Sequence, residues 1–303
     1  MHMMPSEGMV YLYTVVGGGL TKLLNGFIDS WFTKITKETE GIDYGRIRSM
    51  GSIAYALASP AFGLLFSRLG FWTAMPLCLV LTVSCLLRIL NLRDPKPPEE
   101  HEKGPSFLEA FRYLLGNRSY LIFLCCSVLM NVTMQSFFGF VGLLMEEAGG
   151  TVGDLGIYYF LLAMFEFAVV RNYSRISERL GLKRTVILGM AGIFLKSLIH
   201  SFAGSVTAMY CCTVTQCFSL ALTVPSNALY QRECVEKQYL STALLVMQTC
   251  CAGLVPFLFS SAYGITAERL GVGAMLRIFS IFALIGAVLF RFMAPDDSVT
   301  EET

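Results

Sequence analysis

Windows of roughly twenty apolar residues recur along almost the whole 303-residue chain, and that repeat limits the possible fold more than any motif does. A helix rises about 1.5 Å per residue, so twenty residues match a hydrocarbon layer about 30 Å thick. Hydropathy places about nine such windows, near residues 9–33, 49–67, 71–92, 119–145, 155–171, 185–203, 205–230, 241–264 and 272–293. Hydrophobic residues make up 54% of the chain and charged residues 15%, where soluble domains carry about a quarter charged, so the bilayer is the expected solvent. The expected fold class is an all-α integral membrane protein with about nine transmembrane helices.

Several function classes drop out at this level. The net charge is +1 and the basic residues are spaced as loop markers, so nucleic acid is not an expected partner. The ten cysteines include Cys125/Cys126, Cys211/Cys212 and Cys250/Cys251, all in apolar windows without CxxC spacing, and read as reduced packing residues. His2 is terminal, His101 falls in a polar stretch and His200 stands near a helix end, so the histidines suggest no site. Gly17, Gly18 and Gly19 lie inside an apolar window with no GK[ST] after them, which points to helix packing rather than phosphate binding. No catalytic nucleophile or metal cluster is visible; neither an enzyme nor a cofactor is expected. The opening MHMMPSEG lacks a basic n-region, so no cleavable signal peptide is expected either.

Orientation follows from the basic residues. If the loop with Lys34, Lys37, Arg46 and Arg48 is cytoplasmic, about 18 of the 23 Lys and Arg fall on that side. Arg68, Arg269 and Arg277 fall on the other side, and the loop with Glu146, Glu147 and Asp154 has no basic residue. The C-terminus is then expected inside a multi-pass plasma-membrane protein, working as a monomer. The longest polar stretch, RDPKPPEEHEKGPS, separates three windows from six. It suggests a partial N-terminal bundle over 1–92, a cytoplasmic linker over 93–118, a six-helix bundle over 119–294 and a tail over 295–303. Phe107, Leu108, Phe111, Leu114 and Leu115 form the stripe of a short helix lying along the membrane surface.

Two motifs carry a resemblance. The run IDSWFTKITKETEGIDYGRIRSMGSIAYA places Asp29 before Tyr44, Gly45, Arg46, Arg48, Gly51 and Ser52. It resembles the fourth and fifth helices of the lactose permease-like symporters of the major facilitator superfamily, in which a YGRxRxxGS motif opens the fifth. SRISERLGLKR resembles the basic loop between the second and third helices of that superfamily's C-terminal half. The resemblance extends over essentially the whole chain. It implies a two-part helical bundle with alternating access, six helices on each side of a central loop, and therefore three helices missing before the first window. A fragment of a longer reading frame is the expected reason, ahead of a working nine-helix protein.

The resemblance also singles out residues. Asp29 and Arg48 would form the N-terminal half of a solute site, and Tyr55, two helical turns beyond Arg48, a stacking surface for sugar. An interfacial salt bridge and ordinary packing are their structural alternatives. Glu166, in IYYFLLAMFEFAVV, has the most apolar surroundings of any acid in the chain, and an ionisable group in a span is a functional candidate by default. By resemblance it joins solute binding to proton coupling, with Lys196 as its matching cation where the family tends to carry Arg. Lysine lacks the planar guanidinium fork, so the coupling differs in detail. The His-Glu pair of lactose permease's tenth helix has no counterpart: the corresponding stretch, TQCFSLALTVPSN, has Gln216 and Ser219 as its polar positions, which with Asn227 offer contacts to a polyol or nucleoside or, as the structural alternative, polar contacts between neighbouring helices. The expected function is proton symport of a small polar solute, a sugar, oligosaccharide or nucleoside. An exporter of amphipathic drugs from the same superfamily and a non-transporting fragment stay open as alternatives.

Overall fold

The computed structural model describes residues 44–90 and 105–294, and all regular structure among the described residues is helical. The first helices are α1 (Tyr44–Leu69) and α2 (Ala74–Leu90). After the polar stretch come α3 (Phe107–Gly116), α4 (Arg118–Glu147), α5 (Val152–Val170), α6 (Tyr173–Leu180) and α7 (Leu182–His200). The last are α8 (Val206–Cys212), α9 (Leu220–Cys234), α10 (Leu240–Gln248), α11 (Val255–Leu270) and α12 (Val272–Met293).

Five stretches among the described residues are long and apolar enough to cross a membrane: Arg118–Glu147, Val152–Val170, Val206–Cys234, Leu240–Leu270 and Val272–Met293. They coincide with five of the hydropathy windows. α1 and α7 coincide with two more but are more highly charged, carrying Arg46, Arg48 and Arg68, and Lys183, Arg184 and Lys196. α2 is 17 residues long, and the window at 9–33 lies outside the described residues. The protein is thus a multi-pass membrane protein built as a helical bundle.

Contacts divide the chain into two units, Met1–Ile53 with Cys78–Glu99 and Ala54–Leu77 with Glu100–Thr303. In the first unit, the α2 residues 78–88 are exposed along their whole length. The second unit holds the buried core. There α12 lies between α4 and α7. Phe123, Tyr230 and Phe290 form an aromatic triangle with centroids 4.7, 5.9 and 5.2 Å apart. Gly286 brings α12 against α4, since a Cβ at Gly286 would stand 2.8 Å from the Cys126 carbonyl oxygen.

Water cannot satisfy backbone groups in hydrocarbon, so polar side chains act as ties between helices. The Thr133 hydroxyl enters the ladder of α12, donating to the Phe279 carbonyl at 2.6 Å and accepting the Ala283 N–H at 3.0 Å. Tyr263 donates to the Val132 carbonyl and Tyr120 to the Ala243 carbonyl, each at 2.8 Å. Large apolar side chains such as Phe257 and Phe292 are exposed on the outside of the bundle, as a lipid-facing surface requires.

Local sequence sets the ends of the elements. Ser106 accepts the Glu109 N–H and so caps α3, while Thr151 and Asp154 close a reciprocal capping box on α5. The basic run between α5 and α7 contains the short helix α6, which Gly181 ends at a φ of 82°. A side chain is strained there, so glycine makes the sharp passage into α7. On α3, Leu114 is buried against Tyr120, Val235 and Ala243, whereas Phe107, Leu108 and Leu115 are exposed.

Two spans are not regular α-helix. Between α8 and α9, Thr213–Phe218 forms a 3-10 turn, and between α10 and α11, Thr249–Leu254 forms a π turn. The first is supported by hydroxyls of Thr213 and Thr215 that bond back to Tyr210 and Cys212 carbonyls. The second ends two residues before Pro256, which has no N–H for the carbonyl four residues back, within the turn.

Candidate functional site

The 3-10 turn presents Gln216 between two charged residues from different helices. Gln216 Nε2 donates to Glu166 Oε2 of α5 at 2.7 Å, and Lys196 Nζ of α7 donates to Gln216 Oε1 at 2.6 Å. One primary amide thereby satisfies an acid with its donor side and an ammonium with its acceptor side. Glu166 and Lys196 do not meet directly; they are linked through Gln216, which the sequence offers either as a solute contact or as a polar contact between helices. Gln216 and Lys196 are each 2% exposed, whereas Glu166 is half-buried. Lys196 Nζ also lies 4.6 Å from the centroid of Phe137 and 4.8 Å from that of Phe138, both on α4. Ring faces at that distance attract a cation, and two of them help to replace the water the ammonium has lost.

The turn stays close to α7 because Gly192 has no side chain. A Cβ there would overlap the Phe218 carbonyl, so a larger residue would force the turn and its Gln216 away from Lys196. Ser219, the first residue after the turn, is fully buried; its hydroxyl makes only a long 3.5 Å bond to the Gln216 carbonyl, and its own carbonyl accepts from Thr223. It supports the restart of the helix and does not join the Glu166–Gln216–Lys196 chain.

Tyr55 on α1 is more than half exposed and stands edge-on to Tyr159 of α5, centroids 6.3 Å apart at 73°. Tyr159 precedes Glu166 by two helical turns, so both occupy one face of α5, and Tyr55 lies within electrostatic reach of Glu166. α1 comes close to α5 at glycines: a Cβ on Gly156 would stand 2.6 Å from the Ser59 carbonyl and 3.1 Å from the Gly63 Cα. Arg48 falls in the N-terminal turns of α1, as the motif predicts. Asp29 lies outside the described residues, and so does the expected Asp29–Arg48 pair.

Two tyrosines and one histidine were missed as site residues by sequence reasoning. Tyr158 and Tyr159 read as part of an apolar run, though Tyr159 stands two turns from Glu166. His200 does end α7, yet it is fully buried, with Nε2 2.9 Å from the Tyr158 hydroxyl and Nδ1 2.8 Å from the Lys196 carbonyl. Its i+4 spacing from Lys196 was the available signal.

The family model of the Major Facilitator Superfamily matches residues 2–258. The chain belongs to that superfamily. A maltose permease of Geobacillus stearothermophilus is 25% identical over 266 residues, covering 87% of this chain and 66% of the relative. An uncharacterized transporter of Bacillus subtilis, YwbF, is 21% identical over 270 residues, covering 88% of this chain and 65% of its own length. A putative nucleoside transporter of Escherichia coli, YegT, is 27% identical over 164 residues, 49% of this chain and 36% of the relative. The chain thus spans just under two thirds of the first two relatives.

Proposed function

We propose that this chain forms much of a secondary active transporter that carries a small polar solute, a sugar, oligosaccharide or nucleoside, together with protons. Residues 119–294 would be its six-helix C-terminal bundle and residues 1–92 part of its N-terminal bundle, joined by a cytoplasmic linker over 93–118, with the 295–303 tail also on the cytoplasmic side of the plasma membrane. The observation that carries this reading is the Glu166–Gln216–Lys196 chain, with Tyr159 on the Glu166 face of α5 and Tyr55 of α1 edge-on to it. A carboxylate beside an amide and an ammonium offers donors and acceptors for hydroxyl groups, and exposed aromatic faces suit sugar or nucleobase rings. Arg48 and Asp29 would complete the polar clamp from the N-terminal side.

Protonation of Glu166 would weaken its hold on the Gln216–Lys196 pair and so change which conformation of the bundle is favoured. Relatives named for maltose and nucleoside transport support a polar, ring-containing solute.

The test is accumulation of labelled maltose or uridine in proteoliposomes. One proton per solute and a gradient of about one pH unit, worth about 1.4 kcal/mol, sustain about tenfold accumulation. Glu166→Gln is expected to bring that ratio down to about one while the protein still inserts and keeps its melting temperature. Undiminished accumulation by the variant would overturn the assignment of Glu166.

A further inference from the structure

Among the described residues, three buried side-chain oxygens have no hydrogen-bond partner: Ser127 Oγ of α4, and Asn227 Oδ1 and Gln231 Oε1 of α9. Ser127 and Gln231 are closed off, at 0% and 3% exposure, and Asn227 is half-buried. Lipid offers such oxygens no donor, so leaving them unpaired inside a membrane protein is costly.

The three belong to one place in the fold. The start of α4 meets the end of α9, where Asn117 Nδ2 donates to the Cys234 carbonyl, and further along both helices Phe123 packs on Tyr230 at 4.7 Å. The two helices therefore run antiparallel, and Ser127 and Asn227 each stand about one turn beyond the ring contact, at the same level. From Phe123 to Ser127 the helix turns about 40°, and from Tyr230 back to Asn227 about 60° in the same sense. Between antiparallel helices the same sense leads to the same side, so both residues border one side of the α4–α9 contact. Gln231, one turn from Asn227 on the same face, lengthens that border.

α10 closes this side. Tyr120, two turns before Ser127 on the same face of α4, donates to the Ala243 carbonyl. Met247 and, in the π turn, Cys251 follow Ala243 at one-turn spacing, within the cluster that holds Phe123 and Tyr230. They bring no donor for the oxygens, since the Cys251 thiol is turned to the Met247 sulfur at 3.8 Å. The amide groups close by are committed as well, Asn131 Nδ2 to the Ser127 carbonyl and Gln231 Nε2 to the Asn227 carbonyl.

We propose that Ser127, Asn227 and Gln231 form a closed site for a neutral O–H donor, a water molecule or a hydroxyl group of the solute; only the second source rests on the transport reading above. A buried water makes about three hydrogen bonds, the number on offer here. The two amide oxygens accept its two hydrogens and the Ser127 hydroxyl donates to its oxygen, so every group is satisfied. A solute hydroxyl has one hydrogen and serves one of the two amides.

The melting temperature of the full chain in lipid reads the site without any solute. Ser127→Ala removes a hydroxyl that has no protein partner. With the site filled, it is expected to lower the melting temperature by about 2–4 °C, as Ser136→Ala does on the same helix, where the hydroxyl bonds to the Thr133 carbonyl. Both changes carry the same gain in helix propensity, so the comparison cancels it. A Ser127→Ala protein that melts above the unmodified one would overturn the proposal, because an unpaired hydroxyl is better removed.

Pulsed X-ray radiolysis distinguishes the two sources. It makes hydroxyl radicals where water sits, so with water in the site buried Met247 is expected to be oxidised several-fold faster than buried Met275 of α12. Asn227→Leu/Gln231→Leu should abolish the difference, and maltose affinity should stay within about twofold in Ser127→Ala. If a solute hydroxyl is the occupant, bound maltose protects Met247 and Ser127→Ala weakens maltose binding about tenfold. Equal oxidation of Met247 and Met275, together with unchanged maltose affinity, sinks both forms of the site. A protein that binds no maltose overturns the transport reading alone, since melting and radiolysis are read without solute.

Discussion

A primary amide offers a donor and an acceptor at once, and Gln216 uses each on a different charged partner. Removing it leaves a buried ammonium and a half-buried carboxylate without their common bond, a loss of about 1–3 kcal/mol or more for charged groups. Gln216→Leu is accordingly expected to lower the melting temperature of the detergent-solubilised protein by several degrees. Adding Lys196→Met should recover part of that loss, because no charge is then left buried and unpaired. A double variant as unstable as the single one would contradict the bridge. The candidate residues themselves were readable in the sequence: Glu166 and Lys196 stand out as charges in apolar windows, and Gln216 as one of few polar side chains in its own. What could not be read was the order of the chain. Hydropathy gives the depth of a residue along its own helix, whereas the bridge depends on which faces of α5, α7 and the 3-10 turn meet. Tyr158, Tyr159 and His200 escaped for a related reason, since a tyrosine in an apolar run and a histidine at a helix end look unremarkable until their neighbours are known.

At the scale of elements, the presence and approximate ends of the helices were legible, because twenty apolar residues in lipid have almost no alternative to a helix. Continuity within the helices was not. The windows at 205–230 and 241–264 read as uninterrupted spans, yet each contains a stretch in which the hydrogen-bond register changes. Average hydropathy is insensitive to that register, and only the second change has a sequence signal beside it, Pro256. The 3-10 turn brings Gln216 to its partners, so its seat on α7 is a sensitive point. Gly192→Ala is expected to destabilise the protein by about 1–3 kcal/mol and to reduce solute binding, as overpacking of a close contact does. Gly139→Ala provides the contrast: nothing lies within 4 Å of the added atom, and it should be neutral or stabilise α4 by up to about 1 kcal/mol. Thermal unfolding of the two variants side by side decides the matter; equal effects would show that the turn does not depend on Gly192.

At the scale of the molecule, the proposed orientation, drawn from the positive-inside count, predicts that the loop before α5 faces outward and the basic run containing α6 inward. A membrane-impermeant maleimide applied to intact cells should therefore label a cysteine placed at Glu147 and leave one at Glu178 unlabelled, in a background without the native cysteines. The reverse pattern would overturn the proposed orientation. The approach of α1 to α5 has a separate consequence. Gly63, Gly156 and Gly192 contribute by having no side chain, so methods that learn a residue's part by trimming it have nothing to trim there. An alanine survey that skips glycines would pass over these contacts in silence; only variants that add atoms, one methyl at a time, will locate them.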